Sequence, residues 1–298
     1  MLKFEGSYVA LATPFKNGKV DAAGLKRLVD FQIEQGTEGL VPCGSTGESA
    51  TLSHAEHRHV VEIVIQAARG RVPVMAGAGS NSTAEALDLV KHAARAGADA
   101  ALLVVPYYNK PTPAGLYQHF KQIARATSLP LFLYNIPGRT GISMPVETVV
   151  RLAEDCRTVV GIKEATGTMD YTSELMAALG PDRFTVFSGD DSLTLSLLAI
   201  GAKGVISVAA NILPGPMAEL CRSWRNGNPE RARELHLELF PLMRALFIET
   251  NPIPLKAAMA HLGLCREELR MPLVPMSPDH KKKLIAALKA CPLLRRQN

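Results

Sequence analysis

Residues 129–167 read LPLFLYNIPGRTGISMPVETVVRLAEDCRTVVGIKEATG. Two apolar, β-type runs, 129–135 and 159–165, stand one βα unit apart with a helix-like segment between them. The same cadence extends in both directions, with further runs at 7–13, 39–44, 72–77, 100–106, 184–189 and 204–210. The steps are roughly 20 to 33 residues, the length of a strand plus its return helix. Eight strands alternating with helices predict an α/β fold, a closed (β/α)8 TIM barrel. An open, doubly wound sheet is the rival. Eight units without a break in composition favour closure.

The segments between the strands carry helix signals. Residues 22–36, AAGLKRLVDFQIEQG, place apolar residues at three- and four-residue steps and end on Gly36. Residues 82–97, STAEALDLVKHAARAG, start with the Ser82/Glu85 spacing of a capping box and end on Gly97. After about residue 225 the strand signal stops. Residues 226–250, 252–264 and 279–290 read as helices separated by prolines and glycines. The expected division is a catalytic barrel over 1–225 and a C-terminal helical domain over 226–298, hinged at Asn226-Gly227-Asn228-Pro229.

The 298 residues are 47% hydrophobic and 20% charged, ordinary for a globular chain with an ample core. The most apolar stretch, 195–213, is broken by Lys203 and glycines, so no membrane span is expected. The opening MLKFEGSYVALATPF has Glu5 and no apolar leader core. Five scattered cysteines form no C-x-x-C pair, which points to a reduced, cytoplasmic setting. The net charge of +5 is dispersed, and Lys281–Lys283 read as a solvated helix face, so no nucleic-acid partner is expected.

In a barrel, function gathers at the C-terminal ends of the strands. Lys163 falls there, at the end of an apolar run. By strand alternation it shares a face with Gly161, which would leave room above the packed layers for a long amine and a small ligand. A desolvated lysine has a lowered pKa and can attack a carbonyl to form a Schiff base. A buried lysine paired with a carboxylate, or one snorkelling at a strand end, remains open on these residues alone. Gly44-Ser45-Thr46-Gly47 offers hydroxyls and N–H groups for a carboxylate or phosphate, or else an ordinary turn. Tyr108 and Tyr134 could relay protons, and Arg139 could clamp a carboxylate. Asp190-Asp191 reads as a helix start. His54 and His57 have H-x-x-H spacing without a third ligand, so no metal is expected.

Five motifs in order, GSTGESATL, PYYNKPT, YNIPGRTG, GIKEATG and SGDD, together with NPIPLKAAM, closely resemble the dihydrodipicolinate synthases, within the N-acetylneuraminate lyase superfamily of class I aldolases. The resemblance covers almost the whole chain. It implies condensation of pyruvate with L-aspartate 4-semialdehyde in lysine and diaminopimelate synthesis, with no cofactor. It implies Lys163 as the Schiff-base residue, Tyr134 as proton donor and acceptor, and Ser45 and Tyr108 as its relay, Tyr108 being lent by a neighbouring subunit. Thr46 would hold the pyruvate carboxylate and Arg139 that of the aldehyde. Gly189 and Ile206 would line the pocket through their carbonyls. An inhibitory L-lysine site is implied at Ser49, Ala50, His54, His57, Asn81, Glu85 and Tyr107, and a homotetramer built as a dimer of dimers. Many synthases have Thr-Thr where this chain has Ser45-Thr46. Ser-Thr also occurs in the neuraminate lyases, so a lyase acting on sialic or sugar acids is the alternative.

Overall fold

The computed structural model describes residues 3–295. Eight strands run parallel: β1 Gly6–Ala10, β2 Gly39–Val41, β3 Met75–Gly77, β4 Ala100–Val104, β5 Leu131–Asn135, β6 Val159–Glu164, β7 Thr185–Ser188 and β8 Gly204–Ser207. Their order is β2-β1-β8-β7-β6-β5-β4-β3. A parallel bridge between Leu40 and Val74, with the Gly77 N–H donating to the Pro42 carbonyl, joins β2 to β3. The sheet is therefore a barrel. Most strands end sooner than their apolar runs. Beyond Val41 and Ser207 the chain folds into tight turns, and the turn after Val41 carries Ser45 and Thr46.

Helices return the chain between strands: α1 Ala22–Glu34, α2 His54–Ala68, α3 Thr83–Ala96, α4 Pro113–Arg125, α5 Val146–Asp155, α6 Met169–Leu179 and α7 Thr194–Ala199. After β8 come α8 Pro214–Arg225, α9 Pro229–Ala245, α10 Ile253–His261 and α11 Pro278–Ala290. Gly36 and Gly97 both take φ +91°, the left-handed conformation that ends a helix and that a side chain resists. Ser53 and Glu56 form a full capping box at α2. The box expected at Ser82 is only half made. Ser82 accepts from the Glu85 N–H, but the Glu85 carboxylate turns instead to the Ser80 hydroxyl and to His54. A short hairpin, Phe15–Lys16 with Lys19–Val20, was not anticipated; its signal is the Asn17-Gly18 turn.

The core has two layers. Apolar side chains of the strands and helices fill the outer shell. Inside the barrel, Tyr8, Val41, Met75, Leu102, Phe132 and Phe187 pack as a plug. Ring centroids of Tyr8 and Phe187 lie 4.9 Å apart, and those of Phe132 and Phe187 5.8 Å. This plug corrects the expectation at Gly161. A Cβ there would sit inside contact distance of the Phe132 ring and the Thr185 carbonyl oxygen. The glycine makes room for a core aromatic, not for a ligand. Among the described residues no helix is long and apolar enough to cross a membrane.

Candidate active site

Registry brings the chemistry together. On β6, Lys163 lies level with Tyr134 of β5 and Phe187 of β7. Phe132 and Tyr134 share the inner face of β5, so Lys163 projects above the aromatic plug beside the Tyr134 ring. Its Nζ lies 4.4 Å from that ring's centroid, and the residue is only 6% exposed. Burial holds the ammonium down at about 8, with Arg139 acting in the same direction and Asp190 and Asp191 opposing. Asp191 is tied elsewhere: it accepts from the Val208 and Ala209 N–H groups at 3.1 and 2.9 Å. It thus clamps β7 to the turn after β8 and does not cap its own helical turn.

Burial likewise pushes the Tyr134 phenol up to about 12, against the pull of Arg139 and of a hydrogen bond with the Ser45 hydroxyl. Ser45 stands in the turn after β2. That turn closes on itself, with the Gly47 and Glu48 N–H groups donating to the Gly44 and Ser45 carbonyls at 3.1 Å each. Thr46 is buried and its hydroxyl accepts from the Asn251 amide at 2.9 Å. The Asn251 carbonyl accepts from Arg139 at 2.9 Å. Gly189 follows β7 and donates its N–H to the Glu164 carbonyl at 2.6 Å. A side chain there would strike Ala165 and the Glu164 carbonyl, so β6 and β7 can approach this closely only at a glycine. Ile206 is buried on the inner face of β8.

Tyr108 is not brought to Tyr134 within the chain. It is 89% exposed on the turn after β4, with φ +68°. Tyr107, beside it, is exposed to a lesser degree, at 39%. A cavity of about 530 Å³ takes in Ser45, Arg139 and Ile136 together with Ser49, Ala50, His54, His57, Glu85 and Tyr107. Lys163 and Tyr134 do not contribute to its walls. His54 reaches Glu85 at 3.3 Å. His57 is buried, which lowers its pKa to about 4, with the Gly77 backbone opposing. Asn81 is the one residue of the expected lysine set outside the cavity wall; its carbonyl accepts from the Asn109 amide at 2.8 Å. Sequence reasoning missed Asn251, Glu48 and Lys256 as neighbours of the site. NPIPLKAAM was legible as a motif, but no local pattern says that it returns 205 residues to Thr46.

A buried amine of lowered basicity at the mouth of a parallel barrel, beside a phenol and a hydroxyl, defines a carbonyl-condensing aldolase of the Schiff-base class. The chain belongs to the Dihydrodipicolinate synthetase family, whose model matches residues 3–291. A 4-hydroxy-tetrahydrodipicolinate synthase of Thermodesulfovibrio yellowstonii is 54% identical over 292 residues, covering 98% of this chain and all of the relative. A dihydrodipicolinate synthase structure from Acinetobacter baumannii, chloride-inhibited and complexed with pyruvate, superposes with a TM-score of 0.95 at 46% identity, covering 98% of this chain and 100% of that one. One from Cyanidioschyzon merolae with lysine bound gives 0.94 at 42% identity, covering 98% and 99%.

Proposed function

We propose that this chain condenses pyruvate with L-aspartate 4-semialdehyde to give 4-hydroxy-tetrahydrodipicolinate. The observation that carries the reading is the Lys163–Tyr134–Ser45 arrangement. With its pKa near 8, roughly a tenth of Lys163 is neutral at pH 7. The amine attacks the ketone carbon of pyruvate, and loss of water leaves a protonated imine. The imine draws electrons from the neighbouring methyl group, which gives up a proton to become an enamine. The enamine carbon attacks the aldehyde. The amino group of the second substrate then displaces Lys163 and closes the ring.

Tyr134 moves the protons. Its phenol stays protonated at neutral pH because burial disfavours phenolate, so it donates first and is restored through Ser45. Tyr108 of a second copy completes that relay; its 89% exposure makes it available to a neighbour. The reading therefore includes a homo-oligomer, a tetramer built as a dimer of dimers. Thr46 and the Ser45–Thr46 backbone hold the pyruvate carboxylate, Arg139 that of the aldehyde, and the Gly189 and Ile206 carbonyls border the pocket. Five free cysteines support a reduced, cytoplasmic setting.

L-lysine is the proposed inhibitor. The cavity offers the Glu85 carboxylate for its ammonium groups and His54 and Tyr107 for its carboxylate. It also reaches Ser45, which gives the effector a route to the relay. The lysine-bound relative supports this assignment. The substrate reading is tested by assaying purified protein with pyruvate plus L-aspartate 4-semialdehyde, and separately in the cleavage direction with N-acetylneuraminate. Turnover of the first and none of the second is expected. The reverse result would transfer the chain to the lyase alternative. Undiminished activity in millimolar lysine would remove the inhibitor.

A further inference from the structure

The segment from Asn251 to Arg270 touches the Ser45–Thr46 turn and its continuation at three levels. Asn251 donates its amide to Thr46 Oγ1 and receives Arg139 on its carbonyl. One residue therefore contacts the groups proposed for both substrate carboxylates. Lys256, on α10, pairs with Glu48, and the two side chains are 0% and 1% exposed. Lys256 Nζ also donates to the Glu268 carbonyl at 2.9 Å and lies 4.0 Å from the Phe15 ring centroid. The Arg270 N–H donates to the second Glu48 oxygen at 3.0 Å, while its guanidinium grips Glu56 and the Thr51 carbonyl.

Two physical arguments give these contacts a purpose. A hydroxyl has one proton and two lone pairs. Thr46 Oγ1, accepting from Asn251, keeps its own proton for another acceptor, and a carboxylate is an acceptor only. An Asn251 amide thus fixes Thr46 as a donor. Glu48, two residues on, sits at φ +53°, a left-handed conformation unfavourable for a residue with a side chain. Surrounding contacts must hold it, and Lys256 and Arg270 are those contacts. A buried ion pair adds little net stability, because desolvating both charges offsets their attraction. What it supplies is one geometry.

We infer that Asn251 and the Glu48–Lys256 pair are positioning residues for carboxylate binding, holding the Ser45–Thr46 turn so that the Thr46 hydroxyl proton faces the substrate. This rests on the reading of Thr46 as the pyruvate carboxylate site. The test uses the full chain and measures borohydride trapping of pyruvate as a function of pyruvate concentration, alongside thermal melting. Variants are Asn251→Ala, Asn251→Asp and the double change Glu48→Gln with Lys256→Met.

For Asn251→Ala, half-saturating pyruvate rises roughly tenfold, as Thr46 is no longer held to donate to the charged carboxylate. Trapping at saturating pyruvate changes by no more than about twofold. Asn251→Asp, the same size, raises half-saturation further, because its carboxylate captures the Thr46 proton. It carries the test should the alanine variant fail to fold. The charge-free double variant keeps its melting temperature within a few degrees yet also binds pyruvate more weakly. Wild-type half-saturation in a folded Asn251 variant, or in the double variant, would overturn the assignment and leave those residues a purely structural part. Wild-type protein that pyruvate and borohydride do not label would instead sink the proposed function, and this inference with it.

Discussion

Lys163 is held where its charge is unwelcome, and that has measurable effects on rate and stability. Its pKa in the fold is about 8 against 10.5 free, so the native state binds fewer protons than the unfolded chain between those values. Stability therefore rises with pH across that window and is lowest, for this group, below it. Lys163→Met should raise the melting temperature at pH 7, by on the order of 3 kcal/mol of stability at 1.36 kcal/mol per unit. The gain should shrink as pH approaches 10.5, which melting curves at several pH values will read. In the intact protein, kcat/KM for pyruvate should climb with pH and level off above about 8, as the neutral amine becomes the dominant form. Tyr134→Phe should keep the fold and lower kcat about 10²–10⁴-fold, the range for losing a positioned acid–base group, with KM for pyruvate far less affected. Steady-state kinetics decide both.

At the scale of elements, β6 shows what a sequence can and cannot disclose. Its apolar run, its length and the lysine at its end were legible, because strand periodicity and an out-of-place charge are local signals. The meaning of Gly161 was not. Alternation placed it on the lysine's face correctly, but the space beside it belongs to Phe132 of β5, a fact of cross-strand packing. Gly161→Ala should cost roughly 1–3 kcal/mol, because the Thr185 carbonyl oxygen on the other side is backbone and cannot turn away. Denaturant melts will measure it, and a neutral substitution would mean that the plug is looser than drawn. The turn after β2 was legible from its hydroxyls as an anion cradle or an ordinary turn, and only the resemblance chose the carboxylate. Its outer support, Glu48 with Lys256 and Arg270, was invisible because both partners lie over 200 residues away. Glu85 was read from local spacing as half of a capping box and from the resemblance as part of the lysine site; its carboxylate leaves the cap for Ser80 and His54 at the cavity wall.

On the scale of the whole molecule, the barrel was legible from eight recurrent β runs, and the candidate site from residues at their ends together with the family resemblance. The proposed relay asks more than one chain supplies, because Tyr108 is exposed and away from Tyr134 within its own chain. Its exposure and its distance in role from Tyr134 are explained when a second copy delivers it. Two inactive variants then predict each other's repair. In a mixture of Lys163→Ala and Tyr108→Phe subunits, a hybrid has one site with an intact lysine and an intact tyrosine from its neighbour. Co-refolded mixtures should recover activity well above the sum of the separate variants. No recovery, with hybrids shown to form, would confine the relay to single chains and withdraw Tyr108 from it.

The central claim is that Lys163 is the nucleophile, and reductive trapping tests it most directly. Purified protein would be incubated with pyruvate, treated with sodium borohydride, digested and analysed by peptide mass spectrometry. The account predicts a reduced pyruvyl adduct on the peptide bearing Lys163, absent without pyruvate. An adduct on another lysine, or none on folded protein beside a working aldolase control, would contradict it.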